Sequence, residues 1–164
     1  MPLLIRKITR SKWPSENYLE VEVDTLSADA ISSCLRTSNN TLSTWEVESK
    51  DQIEEAVLAL ACSAQRIENV DVIFMDRDEV ADFGFVIIPT PGKTVVDDLV
   101  RHHYDICNLN YKSIGGFASL ILKSFHEEKH LRFTASKVKA IIRKAVEDER
   151  VNLSMLDEKI QKAL

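Results

Sequence analysis

Five residues, His126-Glu127-Glu128-Lys129-His130, carry the one spacing in this chain that could by itself specify a reaction. On a helix, residues four apart share a face, so two imidazoles at this spacing could hold one zinc ion. The first glutamate between them, Glu127, could then act as general base on a zinc-bound water. Such a site needs a third protein ligand, and Glu147 or Glu149 could supply it from downstream.

Over these five residues the chain resembles the zincin metallopeptidase motif. The resemblance implies a zinc-dependent hydrolase with His126 and His130 as ligands and Glu127 as base. Where that family has uncharged residues before the second histidine, this chain has Glu128 and Lys129. The helix expected here also turns its apolar stripe elsewhere, along Phe117, Ile121 and Phe125, while the histidines align with Ser119, Leu122 and Lys123. Imidazoles in the last turn of a helix are favoured by the macrodipole without any metal. The residues therefore favour a polar helix end and no cofactor, with zinc as the alternative.

Four other groupings could bear chemistry. An apolar strand running into Asp76-Arg77-Asp78 resembles the opening of haloacid dehalogenase-type phosphatases. That resemblance implies Asp76 as nucleophile, Asp78 as acid/base and magnesium alongside. The family's Gly-Thr is replaced here by Glu79-Val80, and a polar turn between two strands explains the residues. Pro91-Gly92-Lys93-Thr94 is similar to the end of a phosphate-binding P-loop, but the first glycine of that pattern is Ile87 and two prolines remove amide donors. A helix entry capped by Thr94 is the better reading. His103 lies four residues before Cys107 and on a helix could share its side, as a base beside a nucleophile; a structural cysteine is the simpler reading. Lys137, Lys139, Arg143, Lys144 and Arg150 make one helix basic, but with few aromatics between them they read as a solvated face rather than a nucleic-acid surface.

The elements that must position these residues follow from periodicity and punctuation. Strands are expected at residues 3–8, 18–23, 41–48, 70–75 and 83–88, the last nearly all apolar and so read as a central strand buried on both faces. Helices are expected from Ser27 to about Arg36, from Ser49 to about Arg66, over 94–108, from Ser113 to His126 or beyond, after Thr134, and over 154–163. The fold class expected is α+β, a small mixed or antiparallel sheet of four or five strands from the first ninety residues. One or two helices accompany it, and an all-helical C-terminal half packs on it. A single compact domain over 1–164 is expected, with a sub-boundary near 89–94 dividing an α/β part, 1–90, from a helical part, 94–164.

The 164 residues can bury roughly two-thirds of their unfolded surface and need no disulfide or metal to fold. Three widely spaced cysteines, Cys34, Cys62 and Cys107, and the lack of a signal-peptide pattern point to a reducing, cytoplasmic setting. No apolar run approaches the ~20 residues of a bilayer span. Charge is uneven: residues 1–93 carry 9 basic and 16 acidic side chains, a net of −7, and residues 94–164 carry 12 and 10, a net of +2. An acidic front half repels nucleic acid and attracts a basic partner. The function expected is a non-catalytic interaction protein, of inhibitor or immunity type, binding a basic protein. A zinc hydrolase and a nucleic-acid-associated accessory protein are the alternatives.

Overall fold

Alternation in the first strand sets the architecture. In β1 (Leu3–Ile8), Leu3 and Ile5 enter one hydrophobic cluster, and Leu4 and Ile8 enter another on the opposite face. A strand apolar on both sides must be covered on both sides, and β1 is central. The computed structural model describes residues 1–14 and 20–164. In it β1 lies between β2 (Leu42–Val47) and β3 (Val70–Asp76). The sheet is completed by β4 (Val86–Pro89), β5 (His103–Cys107) and β6 (His130–Phe133), in the order β4-β5-β2-β1-β3-β6, and every pairing is antiparallel.

Helices cover both faces. On the first face, α2 (Ile53–Cys62), α5 (Ala135–Glu147) and α6 (Glu158–Ala163) bury Val57, Val138, Ile142 and Ile160 against Ile5, Val72 and Phe74. On the second, α1 (Ala28–Cys34), α3 (Arg77–Asp82) and α4 (Tyr111–His126) bury Ala30, Val80, Phe117, Ile121 and Phe125 against Leu4, Ile73 and Met75. Side-chain caps fix where several of these begin. Ser27 accepts from the Ala30 amide, Thr134 from Lys137, and Asn110 with Ser113 forms a reciprocal capping box on α4.

The expected strands at 3–8, 41–48 and 70–75 and the helices after Ser27, Ser49, Ser113 and Thr134 are present, with ends shifted by a few residues. Other expectations are corrected. The C-terminal half is not all helical: residues 94–108 hold a short 3-10 helix, Asp97–His102, and then β5, and β6 follows α4. The sheet has six strands, two of them from beyond residue 94, which pair with β2, β3 and β4. Residues 83–88 do not form a buried central strand; β4 is an edge strand with Val86 and Ile88 exposed. The polar turn expected after Asp76 is the helix α3. Of the strand expected at 18–23, Tyr18 and Leu19 lie outside the described residues, and Val23 begins a 3-10 turn.

Candidate functional site

The histidine pair is split between two kinds of structure. His126 ends α4 on the surface, Glu127 caps the helix, and Glu128 takes a left-handed backbone at φ 56° that turns the chain into β6. His130 is therefore the first residue of a strand, and the shared helical face that two zinc ligands would need is not built. Its imidazole Nε2 is 3.1 Å from Asp71 Oδ1, and its ring meets Phe125. Burial lowers its pKa, with Asp71 opposing. Glu147 ends α5 and Glu149 lies in the turn just beyond it, and α5 packs on the opposite face of the sheet from α4. Among the described residues, no three His, Cys, Asp or Glu side chains gather as a metal-binding group.

Glu127 has a different occupation. Its carboxylate lies 2.8 Å from Lys129 Nζ and 3.6 Å from Lys123 Nζ. Lys129 also reaches Asp76 at 2.9 Å, and both lysines pair with Glu79. The hydrogen bond from Lys129 holds the Glu127 carboxyl below its ordinary range. Burial works against the Lys129 charge, but its bonds to Glu127 and Asp76 outweigh that and raise its pKa. The Asp76 carboxylate thus belongs to a network tying β3 and α3 to the end of α4. Asp78 stands exposed on the first turn of α3. An all-antiparallel sheet is also not the parallel frame that the phosphatase resemblance implies.

Four of the five cations named on the basic helix have partners within the chain, while Lys144 is exposed with none among the described residues. Lys137 pairs with Glu54 at 2.8 Å and lies over the Phe133 ring, and Arg150, just beyond α5, forks onto Glu55 and reaches Asp98. Lys139 and Arg143 bond the last carbonyls of the chain at the end of α6, where cations favour a helix C-terminus. Much of the charge asymmetry between the two halves is thereby matched internally.

Gly92, the glycine of the P-loop-like stretch, has a packing role. A Cβ there would run into the Trp45 ring and meet His103 Cβ at 2.9 Å. No helix begins at Thr94; its hydroxyl accepts from the Val96 amide in a local turn. This loop, residues 90–93, is tied to the start of β5 by a bond from Thr90 N to His103 O and to the preceding 3-10 helix by one from Gly92 N to Val100 O.

Below the loop is a polar constellation that the sequence reading approached but did not assemble. On a strand, His103, Asp105 and Cys107 share one face, and His103 and Cys107 stand roughly 13 Å apart, too far for a base and its nucleophile. The partners of His103 are instead Thr90 and Asp105. Thr90 Oγ1 donates to Asp105 Oδ2 at 3.1 Å and lies 2.8 Å from His103 Nδ1. A hydroxyl has one hydrogen, so Nδ1 must donate to Thr90, giving a relay from imidazole through hydroxyl to carboxylate. Ser43, opposite Asp105 on β2, donates to its Oδ1 at 3.4 Å. His103 is buried edge-on to Trp45 at 5.1 Å, and that burial lowers its pKa. The alternation in residues 103–107 was the available signal, hidden because only Ile106 and Tyr104 are apolar on the other face.

No family model, curated protein or solved structure matches this chain. Among the described residues, no helix is long and apolar enough to cross a membrane.

Proposed function

We propose that this protein acts by binding a basic protein partner, as an inhibitor or immunity-type protein does, along the side of the molecule formed by α3 and β4. The observation that carries the reading is the exposure of Phe83, Val86 and Ile88 at an unpaired sheet edge, directly after the acidic helix α3. Phe83 is 51% exposed, and Tyr111 at the start of α4 is 99% exposed. Apolar and aromatic anchors inside a charged rim are the usual anatomy of a protein interface. An apolar edge strand without a protecting lysine or proline in its middle invites pairing. The opposite edge, β6, carries His130 and Arg132.

Charge selects the partner. The front-half acids Glu54, Glu55, Asp71, Asp76 and Glu79 are matched by cations of the back half. Asp78 and Asp82 on α3 are exposed and have no ion-pair partner among the described residues. Glu20, Glu22, Asp24, Glu48 and Asp51 have no ion-pair partner among the described residues either, but only Asp78 and Asp82 stand directly beside the exposed apolar edge of β4. A docked cation there gains from both carboxylates, and the net charge of −5 steers it in.

The test is retention of proteins by the immobilised chain, compared with a variant carrying Asp82→Lys and Val86→Asp. A basic protein retained by the native chain, released by salt and lost with the variant, supports the reading. Equal retention by both chains, or an acidic partner, removes it.

A further inference from the structure

On the first face of the sheet, α2 and α5 cover the strands from β2 to β6 but leave β5 and the end of β2 open. The gap is a cleft of about 430 Å³ between β2, β5, the turn at 38–41, the end of α2 and the loop at 90–93. That volume lies within the roughly 300–1,000 Å³ of small-molecule sites. Where the covered part of this face presents Ile5, Val72 and Phe74, the cleft presents Ser43, His103 and Asp105, with Asn39, Thr90 and Lys93 at its rim.

We propose that this cleft is a binding site for a small, neutral, polyhydroxylated molecule of about monosaccharide size. Three features carry the assignment. First, the polar groups are fixed before any ligand arrives. The relay from His103 through Thr90 to Asp105, the bond from Ser43, and the backbone bonds of Thr90 and Gly92 hold them. The Ser63 hydroxyl bonds the Lys93 carbonyl and ties the loop to α2. Preorganised groups spare a ligand the cost of ordering them.

Second, the charges cancel. Asp105 and Lys93 are of opposite sign, and burial disfavours the charged form of the His103 ring, with Asp105 opposing. An anion would face the carboxylate and a cation the ammonium, so a guest of either single sign is opposed by one of them. Third, the lining carries both acceptors and donors: lone pairs on Asp105, on the Asn39 amide and on the Ser43 and Thr90 hydroxyls, whose hydrogens Asp105 already takes, stand with the Asn39 amide hydrogens and the Lys93 ammonium. A ligand hydroxyl donates and accepts at once, and several of them on a ring match such a lining.

Ile88 of the partner-binding edge pairs with Asp105 across β4 and β5, but the two readings are tested with different variants and probes, so each can fail without the other. The experiment is ligand-observed saturation-transfer NMR on the full chain with D-glucose, D-galactose and D-ribose. Expected is millimolar binding of at least one sugar. Asp105→Asn and Thr90→Val should each weaken it tenfold or more, and Lys159→Ala on α6 should leave it unchanged. If either cleft variant fails to fold, Ser43→Ala at its exposed position provides the same comparison. The proposal is overturned if no sugar binds, or if binding survives the cleft variants. It is also overturned if glycine or inorganic phosphate binds the cleft in place of the sugars.

Discussion

Glu127 Oε2 lies 2.8 Å from Lys129 Nζ, so the two residues that sit between the histidines neutralise each other. The pair bridges the turn from α4 into β6, and with Asp76, Glu79 and Lys123 it closes a five-membered charge network. A carboxylate held below its ordinary range by a lysine is a poor base. With His126 and His130 on different elements, zinc should not stabilise the fold. Thermal unfolding with a strong chelator and with added zinc is expected to give the same midpoint, and washed protein should hold well under one zinc per chain. A chelator-sensitive midpoint would show that the histidines do meet on a metal.

Gly92→Ala is expected to destabilise the chain by about 1–3 kcal/mol, the range for overpacking a filled site. The added methyl has nowhere to go but the Trp45 ring and His103 Cβ, and both neighbours are buried. Backbone freedom is not the issue, because the φ of Gly92 lies outside the left-handed region. Urea unfolding checks the magnitude. A companion Trp45→Phe change, which makes room, should recover part of the loss of Gly92→Ala when the two are combined.

How far the sequence could be read depends on how each segment divides its burial. The stripe Val138, Ile142 and Ala145 announces α5 because one face is apolar while the other carries Lys137, Arg143 and Lys144. The run at 83–88 misleads for the opposite reason. Phe85 and Ile87 do pack inward, but Val86 and Ile88 are apolar and exposed, and composition alone does not separate an edge from a centre. Strands β5 and β6 escape notice because each is short and carries polar residues that the fold satisfies at long range, His103 through Thr90 and His130 through Asp71. The polar cleft was illegible on the same grounds. Its members come from positions 39, 43, 90, 93, 103 and 105, and only the pairing of β2 with β5 brings them together.

Stability should fall on the acid side of pH 6.5. Burial lowers the pKa of both His103 and His130 from the ordinary 6.5, although Asp105 and Asp71 oppose it. The unfolded chain therefore takes up protons first as pH drops. The contribution of each imidazole is fully present above 6.5 and is lost as pH falls from there to the folded-state value. Arg6 reinforces the shift at His103, and Arg10 and Arg132 at His130. Urea midpoints measured between pH 7.5 and 5 should decline, and His130→Gln should flatten the decline. A flat native profile would mean that both rings remain solvated.

The three thiols should respond in a set order. Cys34 is buried, its sulfur accepting from the Thr9 amide and the Trp13 indole, and Cys62 is buried with its pKa pushed up to about 12. Cys107 is the most accessible, on β5, although burial and then Asp105 raise its pKa as well. A thiolate is the reactive form. With a chromogenic disulfide at pH 8, the native chain is expected to release about one equivalent slowly, absent in Cys107→Ser, and the other two only on unfolding.

Arg77 and Glu46 give an unequal pair of substitutions. Glu46 on β2 is almost fully buried, and its Oε2 is 2.8 Å from Arg77 Nη1; the Arg77 guanidinium also lies 4.8 Å over the Tyr104 ring. The Arg77 side chain is a third exposed, so it can reach water when the carboxylate is gone. Glu46→Gln keeps the shape and is expected to cost about 1 kcal/mol, the loss of a charge-assisted bond. Arg77→Met keeps much of the stacking volume but leaves Glu46 charged, buried and unpaired. It is expected to cost about 2–3 kcal/mol, below the full value for a buried pair because Arg77 is partly solvated. The double variant should then be more stable than Arg77→Met alone, because it no longer strands a charge. Urea unfolding of all four chains closes the cycle, and equal losses for the two single variants would show that water already reaches Glu46.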